Sequence, residues 1–466
     1  MLLPLQVFLL VFLIWIMTSL VFSMQPIYLD SHSTTRVDPR VANRILYYMT
    51  TAFGNASSID HTFGDEAENA VKEATNKITE LIQTSPLSKE ELSPSSSPLS
   101  KEELSPSSSP LSKEGLSPSY SPLSKEELSP SSSPLSKGGR GGFSPLEIIF
   151  TSGATESINL AIQGTILTAK TRQKIAVSPV EHQAVLDCCQ ALVKQDFADI
   201  IWLKVDSKGR LDLEHLEKVC AGGISLLCVM AANNEIGNIY PIETVGKIAA
   251  KYDISFLCDG SQAVGKVPID FTEWGITFLA ISAHKLYGPK GVGALVVRKG
   301  YPLQPIIFGG GHQKGRRSGT LNVPGIVGLG EACGLRNLEM VEDERAIATR
   351  RDRFQAILQD NIPGLIVNGD VTHRLAGNLH LSIPDIPNSA VIARTRDRLA
   401  ISTGAACSSG VESPSHVLRA LGLSEGAMDG VLRIGIGKFT TDEEVERAAE
   451  ILIATVREIR QAMGGN

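Results

Sequence analysis

The strongest constraint on the fold is an alternation of short apolar runs with helix-length segments past residue 147. Runs rich in β-branched and other apolar residues occur at 174–177, 226–230 and 255–257, and helix-length segments lie between them at 182–194 and 242–252. Strands that alternate with helices build parallel sheets, because a parallel connection must cross over the sheet. The alternation therefore predicts an α/β fold, with a mostly parallel sheet covered by helices.

The composition indicates a globular chain with small-molecule chemistry. Its 466 residues are 42% hydrophobic and 20% charged, enough to bury a sizeable core and to form two domains. The formal net charge is −6, so no excess of Lys and Arg is present to attract nucleic acid. None of the seven cysteines stands in a CxxC pair, which disfavours a zinc site or disulfide framework and fits a reducing cytoplasm.

Residues 1–23 form an apolar N-terminal extension without any Asp, Glu, Lys or Arg. The run is long enough to span a membrane, but it lacks the positive start and the small-residue cleavage site of a secretory signal. Met24 begins a pattern that resembles a second start. We favour translation from Met24 and a cytoplasmic protein; a membrane anchor at 1–23 is the alternative.

A twelve-residue repeat, SPLSKEELSPSS, starts at Ser85 and recurs until a fifth start at Ser133 decays into a glycine-rich run. Each full unit contains two prolines and only two leucines, too little apolar surface to offset the entropy of ordering it. We therefore expect 85–142 to be disordered. A helical pattern at 67–82 precedes the block and a short strand at 148–150 follows it, so the block is an insertion in one connection.

Two polar side chains follow apolar strands and form the clearest candidate site. Lys285 comes soon after the strand at 278–281, within the segment SAHKLYGPKG, and Asp259 ends the strand before it. A partly dry strand end favours the neutral amine that forms an imine, and a carboxylate there can pair with a cation. A solvated loop lysine and a strand-end capping aspartate are the alternatives.

The segment 151–157, TSGATES, lies between the strand at 148–150 and a helical pattern. Small residues before a helix expose backbone N–H groups, which suits a phosphate, although such a turn is more often a simple helix cap. Taken together, the three segments are more specific than any one of them.

The combination resembles the cysteine desulfurases of the class V aminotransferase group, from residue 27 to about 458 apart from the repeats. Further matching segments are VEHQAV at 180–185, NNEIG at 233–237, GGGH at 309–312, RRSGTL at 316–321 and GAACSS at 404–409. The resemblance implies the type I fold of transferases that depend on pyridoxal 5'-phosphate. It implies a large cofactor-binding domain at 36–335 and a smaller α+β domain formed by 25–35 with 336–466.

By this resemblance, Lys285 carries the cofactor, Asp259 pairs with its pyridine nitrogen, Gln262 binds its ring hydroxyl and His182 stacks on the ring. Residues implied to hold the phosphate are Ala154, Thr155, Ser282 and His284, with Thr320 contributed by the second subunit of a homodimer. Asn234 and Arg433 match positions that bind the substrate carboxylate, for which a guanidinium is well shaped.

The implied reaction converts L-cysteine to L-alanine. Lys285 or His182 moves the Cα proton, and the thiolate of Cys407 attacks the substrate sulfur to leave a persulfide for an acceptor or scaffold protein. The product would serve iron–sulfur cluster or thio-modification pathways, and Cys407 could contact a transferred cluster; no metal site is otherwise expected.

Three positions depart from the usual family pattern: Arg36 replaces a proline, Gly435 a serine, and Ala405 a frequent serine. The last variant is reminiscent of desulfurases that serve DNA phosphorothioation. Two other functions stay open. One is another enzyme of the same fold and cofactor, a selenocysteine lyase or transaminase. The other is a non-catalytic interaction protein tethered to a membrane by 1–23.

Overall fold

A seven-stranded sheet forms the centre of the protein, whose computed structural model describes residues 26–83, 146–169, 171–404 and 415–464. The strands of the described chain are β1 (Ile27–Tyr28), β2 (Leu146–Thr151), β3 (Gln173–Val177), β4 (Ala198–Trp202), β5 (Leu226–Cys228), β6 (Ser255–Asp259), β7 (Phe278–Ser282), β8 (Gly293–Arg298), β9 (Ile366–Val367), β10 (Asn378–Ser382), β11 (Leu399–Ala400) and β12 (Val431–Gly435).

The order of strands in this large sheet is β2-β8-β7-β6-β5-β3-β4. Every neighbouring pair from β4 to β7 is parallel, whereas β8 runs antiparallel to both β7 and β2. The α/β fold with a mostly parallel sheet, expected from the alternating pattern, is confirmed. Because β2 and β7 both oppose β8, the carboxyl ends of β2, β6 and β7 lie at one edge of the sheet.

Helices cover both faces of this sheet. The helices of the described chain are α1 (Pro39–Thr50), α2 (Thr62–Leu81), α3 (Ala154–Ile166), α4 (Gln183–Lys194), α5 (Leu213–Ala221), α6 (Ile242–Lys251), α7 (Val323–Asn361), α8 (Asn388–Thr395), α9 (His416–Ala420), α10 (Glu425–Asp429) and α11 (Asp442–Ala462). Apolar residues of α3 and α4 join one buried cluster, and those of α2, α5, α6 and the first part of α7 join another.

The helices predicted at 182–194 and 242–252 correspond to α4 and α6, within one residue at each end. The helix predicted at 67–82 begins earlier, at Thr62, because the side chain of His61 accepts a hydrogen bond from Gly64 N and caps the first turn. At the other end of the chain, Thr441 and Glu444 form a reciprocal capping box that starts α11.

A separate apolar core lies against the antiparallel sheet β12-β10-β9. It includes Leu381, Leu432, Leu452 and, from the second part of α7, Phe354. The N-terminal segment joins it, since β1 pairs in parallel with β11. The predicted domain boundary between residues 335 and 336 lies inside α7, so one continuous helix crosses it; the division into two domains stays a prediction.

Three features expected from the sequence lie outside the described residues: the apolar extension 1–23, the repeat block 85–142, and Cys407. Within the described ranges, no helix combines the length and the apolar character needed to cross a membrane. The same ranges contain no cluster of three or more His, Cys, Asp or Glu side chains suited to a metal ion.

Candidate active site

The predicted cofactor residues converge at the edge where β2, β6 and β7 end. Asp259 is the last residue of β6, and Ser282 is the last residue of β7. Gly293 of β8 pairs with Ser282 on one side and with Thr151, the last residue of β2, on the other. The turn that follows β2 therefore starts beside Ser282, at the edge where open α/β sheets bind ligands.

The turn after β2 leads directly into the N-terminus of α3. Gly153 caps this helix with a φ of 157° and makes no side-chain capping bond. A Cβ built on Gly153 would lie 4.0 Å from Ser282 Oγ, so the hydroxyl group faces the start of the helix. Ala154 is half-buried and Thr155 is exposed in the first turn. Helix N–H groups beside a hydroxyl form a site suited to a phosphate.

Lys285 ends a short 3-10 turn that follows β7. Its Nζ donates hydrogen bonds of 2.5 Å to the carbonyl oxygen of His32 and 2.8 Å to that of Ser33. The sequence patterns did not predict these acceptors. They hold the amine at the sheet edge, against the N-terminal segment.

Gln262 lies one turn beyond Asp259 and contacts the same carbonyl group. Gln262 Nε2 donates to His32 O at 2.9 Å, and the side chain is only 3% exposed. Asp259 is 5% exposed, and its Oδ1 accepts hydrogen bonds from Ser261 N at 2.9 Å and Ser261 Oγ at 2.5 Å. These two bonds orient the carboxyl group.

Arg433 is brought into the site from β12. Its Nη2 lies 2.9 Å from Asp30 Oδ1 and donates to Ser33 Oγ at 2.6 Å, and its Nη1 donates to the carbonyl oxygen of Asn234 at 3.1 Å. Arg433 Nε is buried without a partner among the described residues. Arg433 and Lys285 thus both bind Ser33, and the predicted substrate-binding and cofactor-binding residues share one site.

The segment 30–35 contacts the side chains of Lys285, Gln262 and Arg433, and sequence reasoning assigned it no role in the site. Thr34 Oγ1 lies 3.2 Å from His284 Nδ1, and Thr35 Oγ1 donates to the carbonyl oxygen of His284 at 3.0 Å. Burial and the nearby Lys285 lower the pKa of His284 to about 4, so its ring is neutral. The signal in the sequence was a run of polar residues directly after an apolar strand.

His182 is the N-cap of α4, where its Nδ1 accepts a 3.1 Å hydrogen bond from Ala184 N. Thr320 is exposed in the loop before α7, which leaves it accessible to another chain. Cys407 is outside the described residues, but Gly404, three positions earlier, is described. A Cβ on Gly404 would lie 3.4 Å from Glu235 Oε2 and 3.6 Å from His380 Nε2.

Glu235 was also missed by sequence reasoning, although it stands inside the segment NNEIG. It is 5% exposed, and its Oε2 accepts a 2.6 Å hydrogen bond from Ser415 Oγ. Burial raises the pKa of Glu235 to about 7, against the opposing effects of Ser415, Arg433 and His182. A buried carboxyl group therefore lies beside the described residues that flank Cys407 in the chain.

Two departures from the family pattern have a physical account. A Cβ on Gly435 would lie 2.7 Å from Ser31 N and 2.9 Å from His32 N, so a serine would displace the segment that binds Lys285. Arg36 is exposed, and its guanidinium carbon lies 5.4 Å from the ring centre of Phe439. Ala405 lies outside the described residues.

Comparison of the sequence with known protein families identifies the family of this chain. The family model described as aminotransferase class-V matches residues 27–89 and 141–448. The chain belongs to this family, whose members depend on pyridoxal phosphate.

Individual relatives and solved structures indicate which members of this family the chain resembles. A cysteine desulfurase IscS of Anaeromyxobacter dehalogenans (strain 2CP-C) is 37% identical over 439 residues, which cover 94% of each chain. A solved NifS-like protein has a TM-score of 0.73 and 29% identity, covering 93% of this chain and 100% of that one. A structure described as SspA in complex with cysteine has a TM-score of 0.67 and 28% identity, covering 89% and 99%. The resemblance to cysteine desulfurases is confirmed.

Proposed function

We propose that this protein is a cysteine desulfurase that depends on pyridoxal 5'-phosphate and converts L-cysteine to L-alanine, with its sulfur passing to Cys407. One observation carries the proposal. Lys285 Nζ donates to Ser33 O, and Arg433 Nη2 donates to Ser33 Oγ. The lysine that would carry the cofactor and the guanidinium that would bind a substrate carboxylate therefore contact one residue.

The residues at the sheet edge fit pyridoxal phosphate. The group needs a lysine for its aldehyde, an acid for its ring nitrogen and hydrogen-bond donors for its phosphate. Lys285 supplies the amine, and the oriented carboxyl group of Asp259 supplies the acid. Ser282 Oγ and the N-terminus of α3, where Gly153 makes no side-chain cap, supply phosphate donors that lie close to each other.

Gln262, His182, His284, Ala154 and Thr155 complete the proposed cofactor site. Thr320 would complete it from the second subunit of a homodimer, because its own loop leaves it exposed.

Arg433 supports a substrate that bears a carboxylate. Its side chain is 3% exposed, and its unpartnered Nε is a buried donor among the described residues. A buried donor without a partner costs free energy that a carboxylate oxygen would recover. Asn234, whose carbonyl oxygen accepts from Arg433 Nη1, holds the guanidinium in place on its other side.

The bound cofactor withdraws electrons from the substrate Cα. Lys285 or His182 takes the Cα proton, and the thiolate of Cys407 attacks the substrate sulfur. A sulfur–sulfur bond would form as the bond between the substrate Cβ and sulfur breaks, and the electron pair would stay with the carbon part. The carbon part would then take up a proton at Cβ, regain one at Cα and leave as alanine.

The remaining cysteines are poor candidates for the nucleophile. The six within the described residues are all buried. Burial raises the pKa of Cys188 and of Cys333 to about 12, and that of Cys258 well above its usual value. A thiol that does not ionise is a weak nucleophile, which leaves Cys407 for this role.

A cytoplasmic homodimer that delivers sulfur to an acceptor or scaffold protein is part of the same proposal. The test is a visible spectrum of the purified protein, followed by measurement of alanine and sulfide after addition of cysteine and a dithiol, which reduces the persulfide and releases its outer sulfur as sulfide. We expect absorption from a cofactor bound to lysine, its loss in Lys285→Ala, its retention in the nearby Lys290→Ala, and one alanine per sulfide. Amino-group transfer without alanine would establish a transaminase instead, and a protein without cofactor would favour an interaction role.

A further inference from the structure

A buried lysine that the proposed mechanism does not use lies behind Gln262. Lys266 is 9% exposed, and its Nζ donates a 3.0 Å hydrogen bond to Gln262 Oε1. Gln262 Oε1 is also 3.3 Å from His32 Nδ1. The amide oxygen therefore faces the Lys266 amine and the His32 ring on one side, and Gln262 Nε2 donates to His32 O on the other.

The amine of Lys266 and the carbonyl oxygen of His32 together set which way the Gln262 amide points. An ammonium group has three donors and no acceptor, whereas an amide has an oxygen that accepts and a nitrogen that donates. If the amide turned over, Gln262 Nε2 would face Lys266 Nζ, donor against donor. The observed orientation places the oxygen toward Lys266 and the nitrogen toward the carbonyl group that also binds Lys285.

We propose that Lys266 is a positioning residue, which holds Gln262 Oε1 so that the Gln262 amide presents its N–H group, and never its oxygen, to the cofactor ring. The inference rests on the proposed cofactor site and deepens it. Lys266 touches neither cofactor nor substrate in this role and acts only through Gln262.

The surroundings of Lys266 disfavour a charged amine, yet Lys266 Nζ keeps its hydrogen bond to Gln262 Oε1. Lys266, His32, Tyr287 and Glu344 line one small cavity. Burial lowers the pKa of Lys266 to about 7, the nearby Lys285 and Arg336 act in the same direction, and Glu344 opposes them. Burial likewise raises the pKa of Glu344 to about 7, although Arg336 Nη2 donates to its Oε1 at 2.8 Å.

A buried charge costs free energy. We therefore expect replacement of Lys266 to weaken cofactor binding without lowering the stability of the fold. Glu344 keeps its hydrogen bond from Arg336 when Lys266 is replaced, so an apolar side chain of similar length removes a buried charge without leaving Glu344 unpaired. If Lys266 had only a structural role, its replacement would instead lower the stability of the fold and leave the cofactor affinity of the folded protein unchanged.

The experiment measures the dissociation constant of pyridoxal phosphate from the apoprotein, together with thermal unfolding of the apoprotein. We expect Lys266→Met to weaken binding by about tenfold, which is within the range of one ordinary hydrogen bond, with an unchanged or higher melting temperature. Lys266→Arg, which keeps a donor, should restore binding to within about threefold. Lys290→Met, at an exposed lysine near the same site, should bind as the wild type does.

A double-mutant cycle separates action through Gln262 from direct action. In a Gln262→Leu background, Lys266→Met should cause no further loss of affinity. Two outcomes would overturn the role of Lys266. One is wild-type cofactor affinity in Lys266→Met. The other is a loss of affinity from Lys266→Met that is as large in the Gln262→Leu background as in the wild type. If Lys266→Met does not fold, Lys266→Gln provides the same test, since its shorter side chain does not reach Gln262. A wild-type apoprotein that binds no pyridoxal phosphate would overturn the proposed function itself.

Discussion

Lys285 Nζ lies 2.5 Å from the carbonyl oxygen of His32, a residue 253 positions earlier in the chain. The same carbonyl oxygen accepts from Gln262 Nε2 at 2.9 Å. A single backbone group of the N-terminal segment thus orients both a lysine after β7 and an amide after β6. Its position depends in turn on Gly435, since a Cβ there would collide with the backbone of residues 31 and 32.

Substitution of Arg433 tests the substrate site. Arg433→Lys keeps the positive charge but loses the planar fork, and its shorter reach cannot contact Asp30, Ser33 and Asn234 together. We expect KM for cysteine to rise at least about tenfold, with a smaller change in kcat and an unchanged cofactor spectrum. Steady-state kinetics checks this, with the exposed Arg36→Lys as control. An unchanged KM would show that the substrate carboxylate binds elsewhere.

Substitution of Cys407 tests the nucleophile. We expect Cys407→Ser to retain the cofactor spectrum and its change on addition of cysteine, yet to release almost no sulfide, because serine is essentially un-ionised at neutral pH. Mass spectrometry of the wild type after addition of cysteine should place one extra sulfur on the peptide that contains Cys407. Extra sulfur on the peptides of Cys258 or Cys333, or near-native turnover by the variant, would contradict the assignment.

The buried Glu235 predicts a pH-dependent contribution to stability. Its pKa rises from an ordinary value of 4.5 in the unfolded chain to about 7 in the folded protein. The folded state therefore holds the proton more tightly, and the stability this confers is full below about pH 4.5 and is lost as the pH rises through about 7. The contribution is on the order of 3 kcal/mol, because each pKa unit corresponds to about 1.4 kcal/mol.

Glu235→Gln removes this dependence, since an amide does not titrate. We expect the free energy of unfolding of the wild type to fall relative to that of the variant between about pH 5 and about pH 8. Urea denaturation of both proteins at these two pH values measures the difference. Parallel pH profiles would mean that Glu235 is ionised across the range.

Deletion of the repeat block tests its expected independence from the fold. The block interrupts the chain between α2, which ends at Leu81, and β2, which begins at Leu146. Both flanks have their own contacts: Phe271 N donates to Ile82 O at 2.8 Å, and β2 pairs along its length with β8. We expect a protein in which a short linker replaces 85–142 to keep its desulfurase activity within a few-fold. Loss of cofactor binding would show that the block contributes to the site.

The sequence by itself determined the class of fold and two of the strand ends that carry polar residues, the one at Asp259 and the one that precedes Lys285. Short apolar runs separated by helical segments have one common solution, a parallel sheet covered by helices, and this solution gathers the carboxyl ends of its strands at one edge. Asp259 and Lys285 could therefore be placed together from local patterns, and the resemblance to a known family added Ser282 and the expected role of each residue.

Only the tertiary structure decided what surrounds those groups. The carbonyl oxygen of His32, the side chain of Lys266 and the missing Cβ of Gly435 act on the site through contacts between segments far apart in the chain. Such contacts leave no pattern in the sequence. A backbone carbonyl group is the same in every residue, and the sequence does not distinguish a buried lysine from an exposed one. Their effect arises from distance and burial, which exist only once the N-terminal segment, β6, β7 and β12 have packed together.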